Sequence, residues 1–342
     1  MTFSRKFLLA ALLLGALCVM TADPAAARKP RPKFQIKFAT LAPEGSAWMN
    51  AMHEIDDAVR TRTDNRLGFK FYPGGVQGDE KDVLRKIRMG QLHGGGFTGF
   101  GIGALASDVR ALEMPFMFRD HAELDFVRRA LGDELNGMME EEGYLNLGWV
   151  DVGFTYIFSK NAIATMDDLS NARMWIWAGD PLAEVFFKAF GISPIPLAAP
   201  DVLTSLQTGV IDAAYNSPLG CLALQWFTRV DYMTEVPISH GLGAALISKK
   251  ALRKISAEDR AVLEDVAGPI LRDLTETTRI QNLEAIAEMK KEGVQVVTVD
   301  DAVKAQFFTT GRDAWDDGVG ELYSAELLQK VKDLLDQYRA EN

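Results

Sequence analysis

Cysteine is nearly absent. The 342-residue chain has two. Cys18 lies in a leader-like segment, so a mature chain would keep only Cys221 and could form no internal disulfide. Stability then rests on an ordinary apolar core, and the length suits two lobes rather than one. Histidine is scarce as well. His53, His93, His121 and His240 stand apart without paired spacing, and no HExxH or CxxC run occurs, which removes the sequence-readable metal motifs. After residue 27 no apolar run approaches the roughly 20 residues that span a bilayer. An excess of positive charge is also missing. The chain carries 37 Lys+Arg against 47 Asp+Glu, a net −10, with the signs interspersed. That balance suits neither nucleic acid nor an anionic membrane surface.

Catalytic signals are equally thin. Ser46 follows Gly45 but lacks the G-x-S-x-G setting, and no His or Asp context supports a nucleophile. Asp56-Asp57, Asp167-Asp168 and Asp300-Asp301 are sequence neighbours, as helix caps and solvated faces are. Gly99-Phe100-Gly101-Ile102-Gly103 lacks the spacing of a dinucleotide loop and reads as a flexible cleft-edge loop. No catalytic residue, metal site or cofactor is expected.

What is present begins with an address. Arg5 and Lys6 precede an apolar stretch from Phe7 to Met20, and Ala25-Ala26-Ala27 forms an A-x-A cleavage site. Leu17 stands before Cys18 where lipidation would want a small residue. Residues 1–27 are therefore expected to be a signal peptide, cleaved after about Ala27, with export to a bacterial periplasm.

The remaining chain alternates strand and helix patterns. Lys33–Thr40 alternates polar and apolar residues as a strand does, and Ser46 can cap a helix reaching Arg62. Strands over Leu67–Tyr72 and Gly94–Thr98 flank a helix over Glu80–Met89, which argues a parallel sheet with helices on its faces. A helix over 120–142 leads into a long extended segment, Tyr144–Ser159. Strand 172–177, helices 180–190 and 200–208 and strand 211–215 repeat the theme. Ala244–Ser248 reads as a strand returning to the first lobe. Ser256 opens a long helical region to about Lys291, Val294–Val299 is a late strand, and 301–339 is helical.

Two segments echo each other. Val83–Thr98 and Val202–Ser217 each show a helix closed by glycine, Gly90 or Gly209, then a strand ending on a small polar residue. Thr98 and Asn216 would then sit at the carboxyl edges of their sheets, where α/β proteins bind ligands. Arg173 opens the very apolar run Met174-Trp175-Ile176-Trp177. A cation there needs an anion to offset its desolvation. That anion is a protein carboxylate, such as Asp167, Asp168 or Asp180, or it is a ligand. Trp175 and Trp177, two apart on a strand, face one side.

The segments KFATLAPEGSAW (37–48), FYPGGVQGDEKDVLRKIRMGQL (71–92), DLSNARMWIWAGDPLAEVFFKAFGISPIPL (168–197), DVLTSLQTGVIDAAYNSP (201–218) and ALISKKALRKIS (245–256) together resemble the periplasmic solute-binding proteins of TRAP transporters, the DctP type. The resemblance spans the chain beyond the leader. It implies an α/β, two-lobed periplasmic binding protein fold with parallel-rich sheets, flanking helices, crossing strands and a long hinge-spanning helix. The lobes would be 33–152 with 242–281, and 153–241 with 282–342. It implies a receptor, not an enzyme, that binds a small organic anion between the lobes and delivers it to membrane permease subunits. Arg173 would pair with the ligand carboxylate, and Asn216, Glu80 and Thr98 would line the cleft. Trp175 and Trp177 are candidate cleft walls.

Two positions depart from relatives that bind sugar acids: Thr155 stands where a second arginine often does, and Ala199 where an aromatic often does. The pocket would then be roomier and more apolar, which leaves a fatty acid or other lipid open as the ligand.

Overall fold

Phe34–Ala39 is extended because Ile36 and Phe38 alternate with polar neighbours and bury one face. The computed structural model describes residues 30–342. The leader expected over 1–27, with Arg5, Lys6 and Cys18, lies outside the described residues. In chain order the first elements are β1 (Phe34–Ala39), α1 (Ala47–Arg62), β2 (Leu67–Tyr72), α2 (Glu80–Arg88), β3 (Gly94–Thr98), α3 (Gly99–Gly103), α4 (His121–Glu141) and β4 (Tyr144–Ser159). Next come α5 (Met166–Ser170), β5 (Trp175–Trp177), α6 (Pro181–Ala189), β6 (Ile195–Leu197), α7 (Val202–Thr208), β7 (Ala213–Asn216), α8 (Pro218–Ala223) and β8 (Tyr232–Thr234). The chain ends with β9 (Ser239–Ser248), α9 (Lys249–Leu252), α10 (Ala257–Lys291), β10 (Gln295–Val297), α11 (Asp301–Asp317) and α12 (Ala325–Glu341).

The caps follow sequence chemistry. Ser46 Oγ accepts from Met49 N at 3.3 Å and Ser256 Oγ accepts from Asp259 N at 3.0 Å. Gly90 and Gly209 hold φ of 76° and 77°, the left-handed turn that lets each helix stop and the next strand begin.

β1 lies between β2 and β3, parallel to both, as right-handed strand–helix–strand connections dictate. β9 then joins the edge of β3 antiparallel, from Gly94↔Ile247 to Thr98↔Gly243. β4 is shared between the lobes. From Tyr144 to Thr155 it pairs with β9, and from Tyr156 to Ser159 with β7. The sheets are therefore mixed rather than parallel-rich, because both crossing strands run antiparallel to their neighbours. A helix of 35 residues, α10, packs on α1, β4 and α8.

Ile36, Phe38, Met52, Ile55 and Leu271 fill one side of the first sheet. Its other side buries Leu124, Leu131 and Leu135 of α4 against Leu328, Val331 and Leu335 of α12. The C-terminal helix thus packs with the first lobe, although the sequence division puts all of 282–342 in the second. Its apolar stripe finds its complement on α4. The end of α10, β10 and α11 stay with the second lobe: β10 pairs with β8, and Phe307 of α11 meets Phe190.

At the crossing, the Asp151 side chain has no solvent contact. Arg128 of α4 pairs with Oδ1, and Arg279 of α10 donates to Oδ2 at 2.7 Å. Burial alone would raise this carboxyl, but His240 and the two guanidiniums hold it well below the usual carboxylate range. Two residues on, Gly153 takes φ of 112°, and any Cβ there would strike the Asn282 amide of α10. Asn282 donates to Val152 O at 3.1 Å and accepts from Leu219 N at 2.9 Å, so one side chain joins α10, β4 and the start of α8. Asp151→Ala takes the carboxylate from the largely buried Arg128 guanidinium and leaves Arg279 with Asp125 and Glu276 alone. It should cost about 3–5 kcal/mol, read as a lower urea midpoint at unchanged denaturant slope.

Candidate functional site

Between the two lobes lies a cavity of about 760 Å³. Thr40, Leu41, Trp48, Phe97 and Thr98 line it from the first lobe, and Trp177, Asn216, Leu219, Leu222 and Trp226 from the second. Thr98 and Asn216, the two strand ends of the internal echo, both face it. A smaller cavity of about 110 Å³ adjoins, lined by Arg110, Glu113, Thr155, Trp175 and Asp180 among others, and shares Thr98, Trp177 and Asn216 with the first.

Glu80 is the buried acid of the first lobe, 2% exposed. Its carboxylate accepts from Thr98 N at 2.8 Å, Gly101 N at 2.7 Å and Thr98 Oγ1 at 3.1 Å. Burial outweighs these donors and pushes the group up to about 8. The glycine-rich run owes its composition to such contacts. A Cβ at Gly101 would collide with Glu80, one at Gly99 with Glu113, and one at Gly96 with the Trp48 indole. This run is a buried strand end and short helix, not the flexible cleft-edge loop its composition suggests.

Asp79, immediately before Glu80, joins the lobes. It caps α2 through Glu80 N at 2.8 Å, and it accepts from Trp177 Nε1 at 3.0 Å and Ala199 N at 3.3 Å across the cleft. Burial raises its carboxyl above the ordinary range. Alongside, Lys81 Nζ donates to Gly179 O at 2.7 Å and the Phe100 ring stacks on Trp177 at 5.0 Å. In the sequence, Asp79 reads only as the residue before a helix. Its second role depends on Trp177 and Ala199, about a hundred residues away.

Arg173 requires a correction. Its side chain is 56% exposed, it lines neither cavity, and Asp212 holds it: Nε to Oδ2 at 3.0 Å, and its backbone N to Oδ1 at 2.7 Å. The anion that offsets its desolvation is a protein carboxylate, and that carboxylate is none of Asp167, Asp168 and Asp180. Met174 buries on the second-lobe core, and the alternation of the chain turns Arg173 outward. Trp175 is 1% exposed, donates to Leu197 O at 3.0 Å and stacks on Tyr215, so it reaches only the smaller cavity. Trp177 is the tryptophan of the strand that faces the main one. Thr155, also buried, meets the smaller one.

The buried guanidinium beside the cleft is Arg110, absent from the sequence-based candidates. It pairs with Glu113 at 3.0 Å and Asp180 at 3.1 Å. Local sequence shows only half of its setting, since Glu113 is 3 residues away but Asp180 is 70. His121, Asp151 and His240 bring one ligand atom each within 4.8 Å of one another. Arg128 and Arg279 already occupy both Asp151 oxygens, and two fixed positive charges beside the site oppose a metal cation.

The family model for DctP, bacterial extracellular solute-binding protein, family 7, matches residues 38–321. A solute-binding protein of Verminephrobacter eiseniae is 25% identical over 300 residues, covering 86% of this chain and 87% of its own. The 2,3-diketo-L-gulonate-binding periplasmic protein YiaO of Escherichia coli is 24% identical, covering 72% and 76%. Among solved structures, the sugar acid binding protein DctPAm from Advenella mimigardefordensis in complex with galactonate superposes with a TM-score of 0.84 at 18% identity, over 90% of this chain and 99% of that one. A TRAP periplasmic solute binding protein from Xanthobacter autotrophicus, with bound β-D-galacturonate, gives 0.81 at 21%, over 88% and 99%. The two-lobed architecture is thus shared with proteins of clearly diverged sequence.

The raised Glu80 carboxyl ties stability to pH. Between its ordinary value and about 8, the folded protein keeps a proton that the unfolded chain has released. Stability therefore falls as pH rises through that window. Glu80→Gln removes this contribution. Urea unfolding at pH 5 and pH 8 should show a smaller drop in the variant, by more than about 1 kcal/mol; equal drops would mean that Glu80 is ionised throughout.

Proposed function

This chain belongs to the DctP family of bacterial extracellular solute-binding proteins, and from that premise we propose that it is the periplasmic receptor of a TRAP transporter. It takes a small organic acid into the interlobe cleft and hands it, chemically unchanged, to membrane permease subunits. The observation that carries this reading is the cavity lined from both lobes and bridged by Asp79. A cleft of that kind binds by closing, and the closing contacts set the affinity. Relatives described with galacturonate, galactonate and 2,3-diketo-L-gulonate support a carboxylate on the ligand. No helix among the described residues is long and apolar enough to cross a membrane, which fits a subunit that presents its ligand to a separate permease.

Within the cleft, Asn216 and Thr98 supply polar contacts. Asn216 Oδ1 accepts from Ser217 N at 2.8 Å, so its amide nitrogen is the group that can serve a ligand oxygen. Asp79 works at a distance from the ligand. Its bonds to Trp177 and Ala199 form when the lobes meet and have to break when they part.

Thermal unfolding against carboxylates, from sugar acids to fatty acids, tests the reading. A ligand at 100 times its dissociation constant stabilises the native state by about 2.7 kcal/mol. Asn216→Ala should weaken the bound acid about 10-fold, the loss of one hydrogen bond to a charged or polar oxygen. Asp79→Ala should also weaken it, through faster release, whereas Arg173→Ala should bind as the wild type does. Turnover of any bound acid would sink the receptor reading.

A further inference from the structure

Resting on the receptor reading, we infer that the cleft is built for an amphiphile: a molecule with one small oxygen-bearing head and an extended hydrocarbon body, rather than a polyhydroxylated sugar acid. The cavity's size is the first ground. About 760 Å³ lies high in the range of roughly 300–1,000 Å³ for clefts that enclose drug-sized ligands. A six-carbon sugar acid would leave much of it unfilled.

The wall is the second ground. Leu41, Phe97, Leu219, Leu222 and Leu224 line the cavity together with the Trp226 indole. A sugar acid carries several hydroxyls, each needing a partner once it leaves water. These six side chains offer at most the one indole N–H, whereas a hydrocarbon body gains from every part of them. The hydroxyls and amides of the lining, Thr40, Ser46, Asn50, Thr98, Asn216 and Gln281 among them, are left for the head.

Charge is the third. Among the described residues lining the two cavities, Arg110 and Lys291 are the cations. Arg110 is held between Glu113 and Asp180. Lys291 pairs with Glu288 at 2.9 Å and is 72% exposed. Arg173 lies outside, bound to Asp212. No guanidinium is left unpaired to grip a carboxylate with a fork of two bonds. Neutral donors remain for a head group, Trp48 and Asn216 among them. The Trp48 Nε1–H is buried without a partner, and the Asn216 amide nitrogen has its oxygen already bound to Ser217. Neutral donors serve a hydroxyl as well as a carboxylate, so fatty acids and long-chain alcohols share the required chemistry.

The test is isothermal titration of the purified, ligand-stripped protein with three probes: dodecanoate, dodecanol and glucuronate. The expected result is that at least one of the two amphiphiles binds about 100-fold or more tighter than glucuronate, the apolar wall supplying the difference. Binding by both shows that the head is read by neutral donors; binding by dodecanoate alone identifies a charged head on the same apolar body. Leu222→Glu places a charge on the wall and should weaken the amphiphile at least ~10-fold. Its melting temperature without ligand should match the wild type. Should that variant fail to fold, Leu219→Asn gives the same readout. Glucuronate binding as tightly as the amphiphiles, or a wall variant that folds and binds unchanged, overturns the inference and leaves the receptor reading standing. If no probe binds and no acid in the wider panel does, both readings fall.

Discussion

The carboxylate of Asp151 meets guanidiniums from two helices, Arg128 of α4 and Arg279 of α10, at the point where β4 leaves the first sheet for the second. Its burial would be prohibitive without them. Arg279 extends the network to Asp125 at 2.6 Å, which ties α10 back to α4. Everything that defines the cleft hangs from this crossing. Thr155 and the pairing of β4 with β7 follow within a few residues, and the β7 strand end delivers Asn216. Gly153 and Asn282 add a second joint, where a left-handed backbone and a side-chain amide interlock. The crossing is thus held by side chains of α4 and α10, and Asn282 carries the joint on to the start of α8.

The cleft itself is shaped by a repeated pairing of glycine with a polar or aromatic side chain. Gly101 makes room for Glu80, Gly99 for Glu113, Gly96 for Trp48 and Gly220 for Asn216. In each pair the missing Cβ lets a larger group approach the backbone closely enough to be held by it or packed on it. Glu80 and Glu113 are buried acids brought to backbone N–H groups of β3, α3 and β9. The interior is consequently polar behind the wall and apolar on it. The cations that line the two cavities, Arg110 and Lys291, are held by the protein's own carboxylates, and rings and leucines share the larger cavity's surface with hydroxyls, amides and the acids Glu284 and Glu288.

Much of this was legible locally. The strand and helix order, the caps at Ser46 and Ser256, the glycine stops at Gly90 and Gly209 and the return of Ala244–Ser248 to the first sheet all follow from patterning over a few residues. The strand ends Thr98 and Asn216 could be placed at the cleft from the internal echo. Arg173 could not be placed. A lone arginine before an apolar strand demands an anion, but whether that anion is a ligand or Asp212 depends on which way the chain turns 39 residues later. Arg110 and Asp79 were illegible for the same reason, since each acts through groups from distant segments.

By itself, then, the sequence determined that this is an acidic α/β protein with scarce cysteine and histidine, two repeated strand–helix units and charges of both signs interspersed. Periodicity, glycine and cap chemistry act over one or two turns of chain, and composition acts everywhere at once. Only the tertiary structure decided which charges cancel, which tryptophan faces the cleft, and that α12 belongs with α4. Those outcomes depend on contacts between residues far apart in sequence, where burial makes an unpaired charge costly and the first carboxylate within reach takes the arginine.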